Sequence, residues 1–308
     1  MHGTAEPATG LAPILDHFDG RRFFNPHAPE GKSLREVRRW QRTRQKEPWP
    51  ERVEDPIFSA PGRVAPDRIS ATFIGHSTFL LQVGGVCVLT DPIWSERCSP
   101  VPFAGPRRVR RPGQRLSALP AVELVLVSHN HYDHMDLPTL RQVQARWAPQ
   151  AATGLGNGRL LAKAGMGSAA ELDWWQSLEF GGARMTYVPA QHFSSRGLHD
   201  RNRCLWGGFV IEAQGAVVYF AGDSGYCPHF AEIGRRFPRI DLALLQHSIQ
   251  KRPLSGRQVE QWSEFLPAFG RDAFDPACRA SEGIEIPIMQ AHGQLAGDVA
   301  DLARDRVG

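Results

Sequence analysis

What this 308-residue chain lacks narrows its chemistry first. It has only five cysteines, and none stands in a C-x-x-C pair. Cys87, Cys98, Cys204, Cys227 and Cys278 are scattered and odd in number. That argues for free thiols in a reducing compartment, and against a disulfide framework or a thiolate zinc site. No apolar run is long enough to cross a bilayer, and the first twenty residues carry neither a basic start nor an apolar h-region. The expectation is a cytoplasmic protein, at most peripheral to the inner face of a membrane. Charge of one sign is scarce as well, since the net formal charge of +4 selects no partner by itself. The remainder, 42% hydrophobic and 22% charged, is ordinary for a globular chain able to bury a sizeable core.

The most informative feature present is the run His129-Asn130-His131-Tyr132-Asp133-His134. It follows Val122–Val127, a mostly apolar run that reads as a buried strand, so the cluster falls on a loop at a strand's carboxyl end. Imidazole nitrogens and carboxylate oxygens are ligands that Zn²⁺ and similar ions take. The H-x-H-x-D-H spacing lets one loop serve two metal positions. A His-rich polar surface loop is the plain alternative, but the fixed offsets make it a poor one.

Strand and helix signals surround this loop. Thr78–Val83, the Gly84-Gly85 turn and Val86–Thr90 read as a β-hairpin ending at Asp91. Gly208–Ala213, the Gln214-Gly215 turn and Ala216–Ala221 read as a second, ending at Gly222-Asp223-Ser224. Further strands are expected near Ile69–Ile74, Met185–Val188 and Ile240–Leu245, and helices near Leu137–Trp147, His229–Arg236 and Gln258–Phe265. Two β-rich halves with helices outside predict an α/β fold of the four-layer αββα sandwich type. The echo between the halves is either a pseudo-repeat or a coincidence of common glycine-turned hairpins.

Other candidate ligands stand at strand ends. His192 follows Met185–Val188 and Asp223 follows the second hairpin; Asp91 is a rival to Asp223, or a turn residue before Pro92. His76 is either a group supporting the site from behind or a buried, hydrogen-bonded histidine. Two basic clusters also stand out. One is a helix opening at the Ser33–Glu36 capping box and carrying Arg35, Arg38, Arg39, Arg42, Arg44 and Lys46, with Leu34, Val37 and Trp40 as its apolar contacts. The other is Arg107, Arg108, Arg110, Arg111 and Arg115 in a Pro/Gly-rich loop. Each is a solvated face or a surface for anionic lipid or phosphate. No nucleic-acid recognition motif accompanies them, so no nucleic-acid partner is expected.

The metal cluster with His192 and Asp223 resembles the metallo-β-lactamase fold superfamily. Within it, Phe18–Pro26, Phe73–Leu80, Leu89–Ser95, Leu172–Trp175, Pro189–Ser194, Leu205–Phe209 and Phe220–Gly225 resemble the N-acyl-phosphatidylethanolamine-hydrolysing phospholipase D branch. The resemblance spans about residues 16–245. It implies an N-terminal extension over 1–66 and a metallo-β-lactamase-like domain over 67–308. It further implies that His129, His131 and His192 hold one zinc, that Asp133 and His134 begin a second site, and that Asp223 bridges both ions. Asp133 and Asp223 would then be the catalytic carboxylates, and Tyr132 would face a phospholipid substrate. The implied reaction is hydrolysis to phosphatidic acid and an N-acylethanolamine, with peripheral association to an anionic membrane.

The resemblance ends after Leu245, where the chain continues as Gln246-His247-Ser248 and departs from the family pattern. The last ligand of the second metal should come from this tail. His292, after the expected strand Ile284–Gln290, is the better stand-in, and His247 the weaker. The tail is either divergent or the product of a reading-frame change. Besides the phospholipase, two readings stay open: a hydrolase of the same fold acting on a lactone, a thioester or a nucleic-acid phosphodiester, and a catalytically impaired metal-binding protein.

Overall fold

The computed structural model describes residues 16–27, 34–43, 50–54, 62–197, 199–225 and 227–245. His247, His292, the expected helix Gln258–Phe265 and the expected strand Ile284–Gln290 lie outside the described residues, as does Cys278.

Apolar runs buried on both faces build two sheets. The first has six strands in the order β1 (Ser70–Gly75), β2 (Thr78–Val83), β3 (Val86–Thr90), β4 (Leu124–Val127), β5 (Gln150–Gly154) and β6 (Ala170–Leu172). The second has five, ordered β11 (Leu242–Leu244), β10 (Ala216–Phe220), β9 (Gly208–Ala213), β8 (Ala183–Val188) and β7 (Ser177–Phe180). In β4, Leu124 and Leu126 enter the core between the sheets, while Val125 and Val127 point to the opposite face. In β10, Val218 and Phe220 face inward and Tyr219 outward. With both faces covered, these strands are apolar throughout, as strands buried on two sides must be.

Helices close the outer faces. Helix α2 (Leu137–Trp147) packs Leu140 and Val143 on the first sheet, and α3 (Gly158–Ala162) adds Leu161. Helix α4 (His229–Arg236) sets Phe230 and Ile233 on the second. The layers therefore run helix, sheet, sheet, helix, the αββα sandwich expected from the sequence.

Both hairpins form with the expected pairing, Val83 opposite Val86 and Ala213 opposite Ala216. Their turns place two successive residues at positive φ, Gly84 (59°) with Gly85 (81°) and Gln214 (48°) with Gly215 (74°). This is the geometry that matches the twist of the flanking strands. The two parallel pairings beside β4 bring its carboxyl end level with that of β3, so Asp91 and Ser128 emerge side by side.

Residues 16–27 lie along the sandwich. Phe23 enters the inter-sheet core, His17 Nε2 bonds Asp173 Oδ1 at 2.8 Å, and Asn25 donates to the His192 carbonyl at 2.8 Å. The basic helix α1 (Leu34–Thr43) forms, with Arg35, Arg38, Arg39 and Arg42 exposed. Trp40, expected as one of its apolar contacts, is 54% exposed instead. In the second basic cluster, Arg108 is a structural strut that donates to the carbonyls of Ser95 and Ile93. Cys87, Cys98, Cys204 and Cys227 are free thiols.

Candidate metal centre

The strand ends of both sheets meet at one edge of the sandwich, and the histidine loop lies there. Asp91, fully buried after β3, organises it. Its carboxylate accepts the Ser128 N–H at 2.7 Å, the Ser128 hydroxyl at 2.6 Å and the His134 Nδ1–H at 2.7 Å. Because the hydroxyl proton goes to Asp91, the 2.9 Å contact between Ser128 Oγ and His129 Nδ1 is donated by the imidazole. Asp91 thus fixes the tautomer of two histidines, one directly and one through Ser128. Both turn Nε2 to the loop's interior, the usual effect of a carboxylate behind metal-binding imidazoles.

Two groups of donors converge in front of this scaffold. In the first, His131 Nδ1 lies 2.8 Å from His129 Nε2 and 3.1 Å from His192 Nε2. In the second, His134 Nε2 lies 3.3 Å from His76 Nε2 and 3.2 Å from Asp223 Oδ1, and His76 Nε2 lies 3.1 Å from Asp133 Oδ2. Asp223 spans the groups, because its other oxygen is 3.6 Å from His192 Nε2. Its loop reaches so far in because Gly222 holds φ at +58° against Ser128, where a Cβ would come within 2.7 Å of the serine's own.

The electrostatics suit cation binding. Burial pushes His129 far below its ordinary pKa, reinforced by the neighbouring imidazoles, and burial lowers His131 as well and takes His192 to about 4. These three therefore stay neutral, the form that ligates metal. Burial also opposes a charge on His134, but the Asp223 and Asp91 carboxylates outweigh it and raise its pKa. Burial works against the anionic forms of Asp133 and Asp223. For Asp133 the hydrogen bond from His76 prevails, and for Asp223 the His134 charge, so both are held below the usual carboxylate range. Asp223 Oδ1 is nevertheless buried without a well-formed hydrogen bond, an orphan acceptor facing the other donors. Nitrogen and carboxylate oxygen without thiolate is a donor set for zinc or a similar first-row ion, and the residues fit such a group.

The loop is braced from one side by residues that no sequence signal singled out. Arg196 donates to the carbonyls of Asn130 and Met135 at 2.8 and 2.7 Å, clamping both flanks of the histidine run. Its guanidinium lies 3.9 Å from the Tyr132 ring centroid, and the Tyr132 hydroxyl donates to the Arg196 carbonyl. Tyr132 is thereby tied into the brace. Arg201, exposed, lies over the Phe193 ring at 4.3 Å, and that ring contacts His131 and His192. His76 stands between β1 and β2; the strand-end glycine before it was visible in the sequence, but its approach to His134 was not.

Residues 87–264 match the family model of the Beta-lactamase superfamily domain. The chain belongs to this superfamily. Within the superfamily, it is 41% identical over 180 residues to an uncharacterized protein of Mycobacterium tuberculosis, covering 58% of this chain and 48% of the relative. It is 37% identical over 186 residues to the N-acyl-phosphatidylethanolamine-hydrolyzing phospholipase D 1 of Caenorhabditis elegans, covering 57% and 52%. The chain spans about half the length of these curated relatives. Among solved structures, Igni18, a metallo hydrolase of Ignicoccus hospitalis, aligns with a TM-score of 0.52 at 18% identity, over 77% of this chain and 100% of that one. That likeness speaks for the fold. Among the described residues, His129, His131 and His192 form one group able to hold a metal ion, and His76, Asp133 and His134 form another. No described helix is long and apolar enough to cross a membrane.

Proposed function

We propose that the chain is a phosphodiesterase of the phospholipase D type, acting on N-acyl-phosphatidylethanolamine with zinc as its metal and two ions per chain. The observation that carries the reading is Asp223, whose two oxygens reach the two donor groups at 3.2 and 3.6 Å and make them one site. The identity to the worm phospholipase supports the substrate class.

The chain's own residues divide the work. His129, His131 and His192 would hold one ion, and Asp133 and His134 another, with Asp223 between them. When bound, such ions supply Lewis acidity toward a phosphoryl oxygen and acidify water. Asp133 and Asp223, kept anionic, accept the proton of the attacking water and later return it to the leaving alkoxide. The P–O bond to the ethanolamine side breaks, leaving phosphatidic acid and an N-acylethanolamine. Arg201 beside Phe193 offers a cation to the phosphodiester, which a neutral lactone would not need. The exposed arginines of α1 fit a chain working at the cytoplasmic face of an anionic membrane.

The test is a substrate panel on protein stripped with chelator and reloaded with zinc. N-acyl-phosphatidylethanolamine should be cleaved far faster than a lactone, a thioester or a single-stranded oligonucleotide. Faster turnover of any of these three would replace the phospholipid reading.

A further inference from the structure

We propose that His76 is itself a metal ligand, completing the second ion's site from residues before 246. This rests on the metal-dependent reading of the histidine loop and goes beyond it, since the family resemblance looks to the tail for this ligand.

Geometry argues for it first. Donor atoms about 2.0–2.1 Å from a tetrahedral zinc lie roughly 3.3 Å from one another. His76 Nε2 is 3.3 Å from His134 Nε2 and 3.1 Å from Asp133 Oδ2, and His134 Nε2 is 3.2 Å from Asp223 Oδ1. The separation of His134 Nε2 from Asp133 Oδ2, at 3.9 Å, exceeds that edge, and a small rotation of the partly exposed Asp133 carboxylate shortens it. His76, Asp133 and His134 thus already form a group competent to hold an ion, and Asp223 reaches it through His134, 3.2 Å away.

Hydrogen-bond direction argues for it second. The Nδ1 of His134 is committed to Asp91, so Nε2 is the ring atom left to meet an ion, which would displace any proton there. Around that Nε2 stand the Oδ1 of Asp223 at 3.2 Å and the Nε2 of His76 at 3.3 Å. A cation satisfies all of them at once.

The backbone supplies a third, independent observation. His76 holds φ at +54°, a left-handed conformation that costs a non-glycine residue energy and persists only where its surroundings impose it. In the tight link between β1 and β2, this conformation carries the imidazole to within reach of His134 and Asp133. Its side chain stays 37% exposed, open to an entering ion.

The experiment uses the full-length chain, equilibrated with zinc and desalted, with metal counted per chain by mass spectrometry. Cobalt(II) loading follows, with d–d absorption reporting coordination. The informative variant is His76→Asn, because asparagine tolerates the left-handed region and keeps the turn. The wild type should hold two ions and His76→Asn one, while His292→Ala and His247→Ala keep two. If His76→Asn needs excess cobalt to fill its second position, its saturated spectrum should differ from that of the wild type. A variant that keeps two ions, or reaches an unchanged spectrum at saturation, would reduce His76 to a positioning residue and overturn the proposal. So would loss of one ion from His292→Ala or His247→Ala with His76→Asn intact, or a wild type holding one ion that His76→Asn retains. A wild type that takes up no ion would sink the metal-dependent reading as well.

Discussion

Replacing Asp91 by asparagine should damage both stability and the metal centre. The Oδ2 atom of Asp91 accepts from Ser128 Oγ at 2.6 Å and His134 Nδ1 at 2.7 Å, while Oδ1 accepts the Ser128 N–H at 2.7 Å. An asparagine can satisfy the Ser128 N–H with its oxygen, but then its amide N–H₂ confronts the other two donors. Turning the amide over only moves the conflict to the Ser128 N–H. Two bonds to a charged acceptor are lost in the first orientation, each worth about 1.5–3 kcal/mol. Burial already raises the Asp91 pKa, so removing the charge recovers part of that loss. The net expectation is destabilisation by roughly 2–4 kcal/mol, or about 4–16 °C in Tm for a domain of this size. His134 can rescue the packing by accepting at Nδ1, but its proton then moves to Nε2 and points where a ligand lone pair is required. Urea unfolding of chelator-treated protein, followed by tryptophan fluorescence, measures the first effect, and zinc affinity measures the second. A variant within about 0.5 kcal/mol of wild type that binds zinc equally well would refute the account of Asp91 as the tautomer-setting residue.

Three other perturbations separate the remaining parts of the argument. Gly222→Ala places a Cβ at φ +58° within 2.7 Å of Ser128 Cβ; about 1–3 kcal/mol of destabilisation and weaker metal binding are expected, and calorimetry matching wild type would contradict that close approach. His229 is buried against Trp174 and His27, and burial lowers its pKa to about 4. The unfolded chain therefore binds the extra proton between about pH 6.5 and 4, and this contribution, present at neutral pH, is lost as pH falls through that window. His229→Gln should flatten the acid-side loss by roughly 1–3 kcal/mol in urea titrations, and an unchanged pH profile would show the group is not buried neutral. Arg38→Glu with Arg42→Glu should weaken salt-sensitive binding to anionic vesicles by about 1 kcal/mol or more per site, whereas binding indifferent to salt and to both changes would leave α1 a solvated face.

What the sequence disclosed follows the range of the interactions concerned. Hairpins β2–β3 and β9–β10 were legible because an apolar run, a two-residue glycine turn and a second run are local signals. Helices α2 and α4 showed through their apolar spacing. Strand β5, Gln-Ala-Ala-Thr-Gly, was not legible, since small residues carry no strand preference and it is the parallel pairing with β4 that makes it one. The half-exposed β7 was hidden because its four residues are too short a run to stand out, and it is the antiparallel pairing with β8 that makes it a strand. The loop His129–His134 declared itself by spacing, and His192 and Asp223 by their strand ends. Asp91 and His76 could be placed near the site but not given roles, because those depend on which loops meet across the sheet edge. Arg196 was invisible, since nothing about one arginine reports that it will clamp carbonyls more than sixty residues away.

The most direct test of the account is the reaction run in heavy-oxygen water. Zinc-reloaded protein should convert N-acyl-phosphatidylethanolamine into equal amounts of phosphatidic acid and N-acylethanolamine, with the heavy oxygen in the phosphate because water attacks phosphorus. Mass spectra placing the label in the N-acylethanolamine, or showing neither product from protein that has taken up its metal, would contradict it.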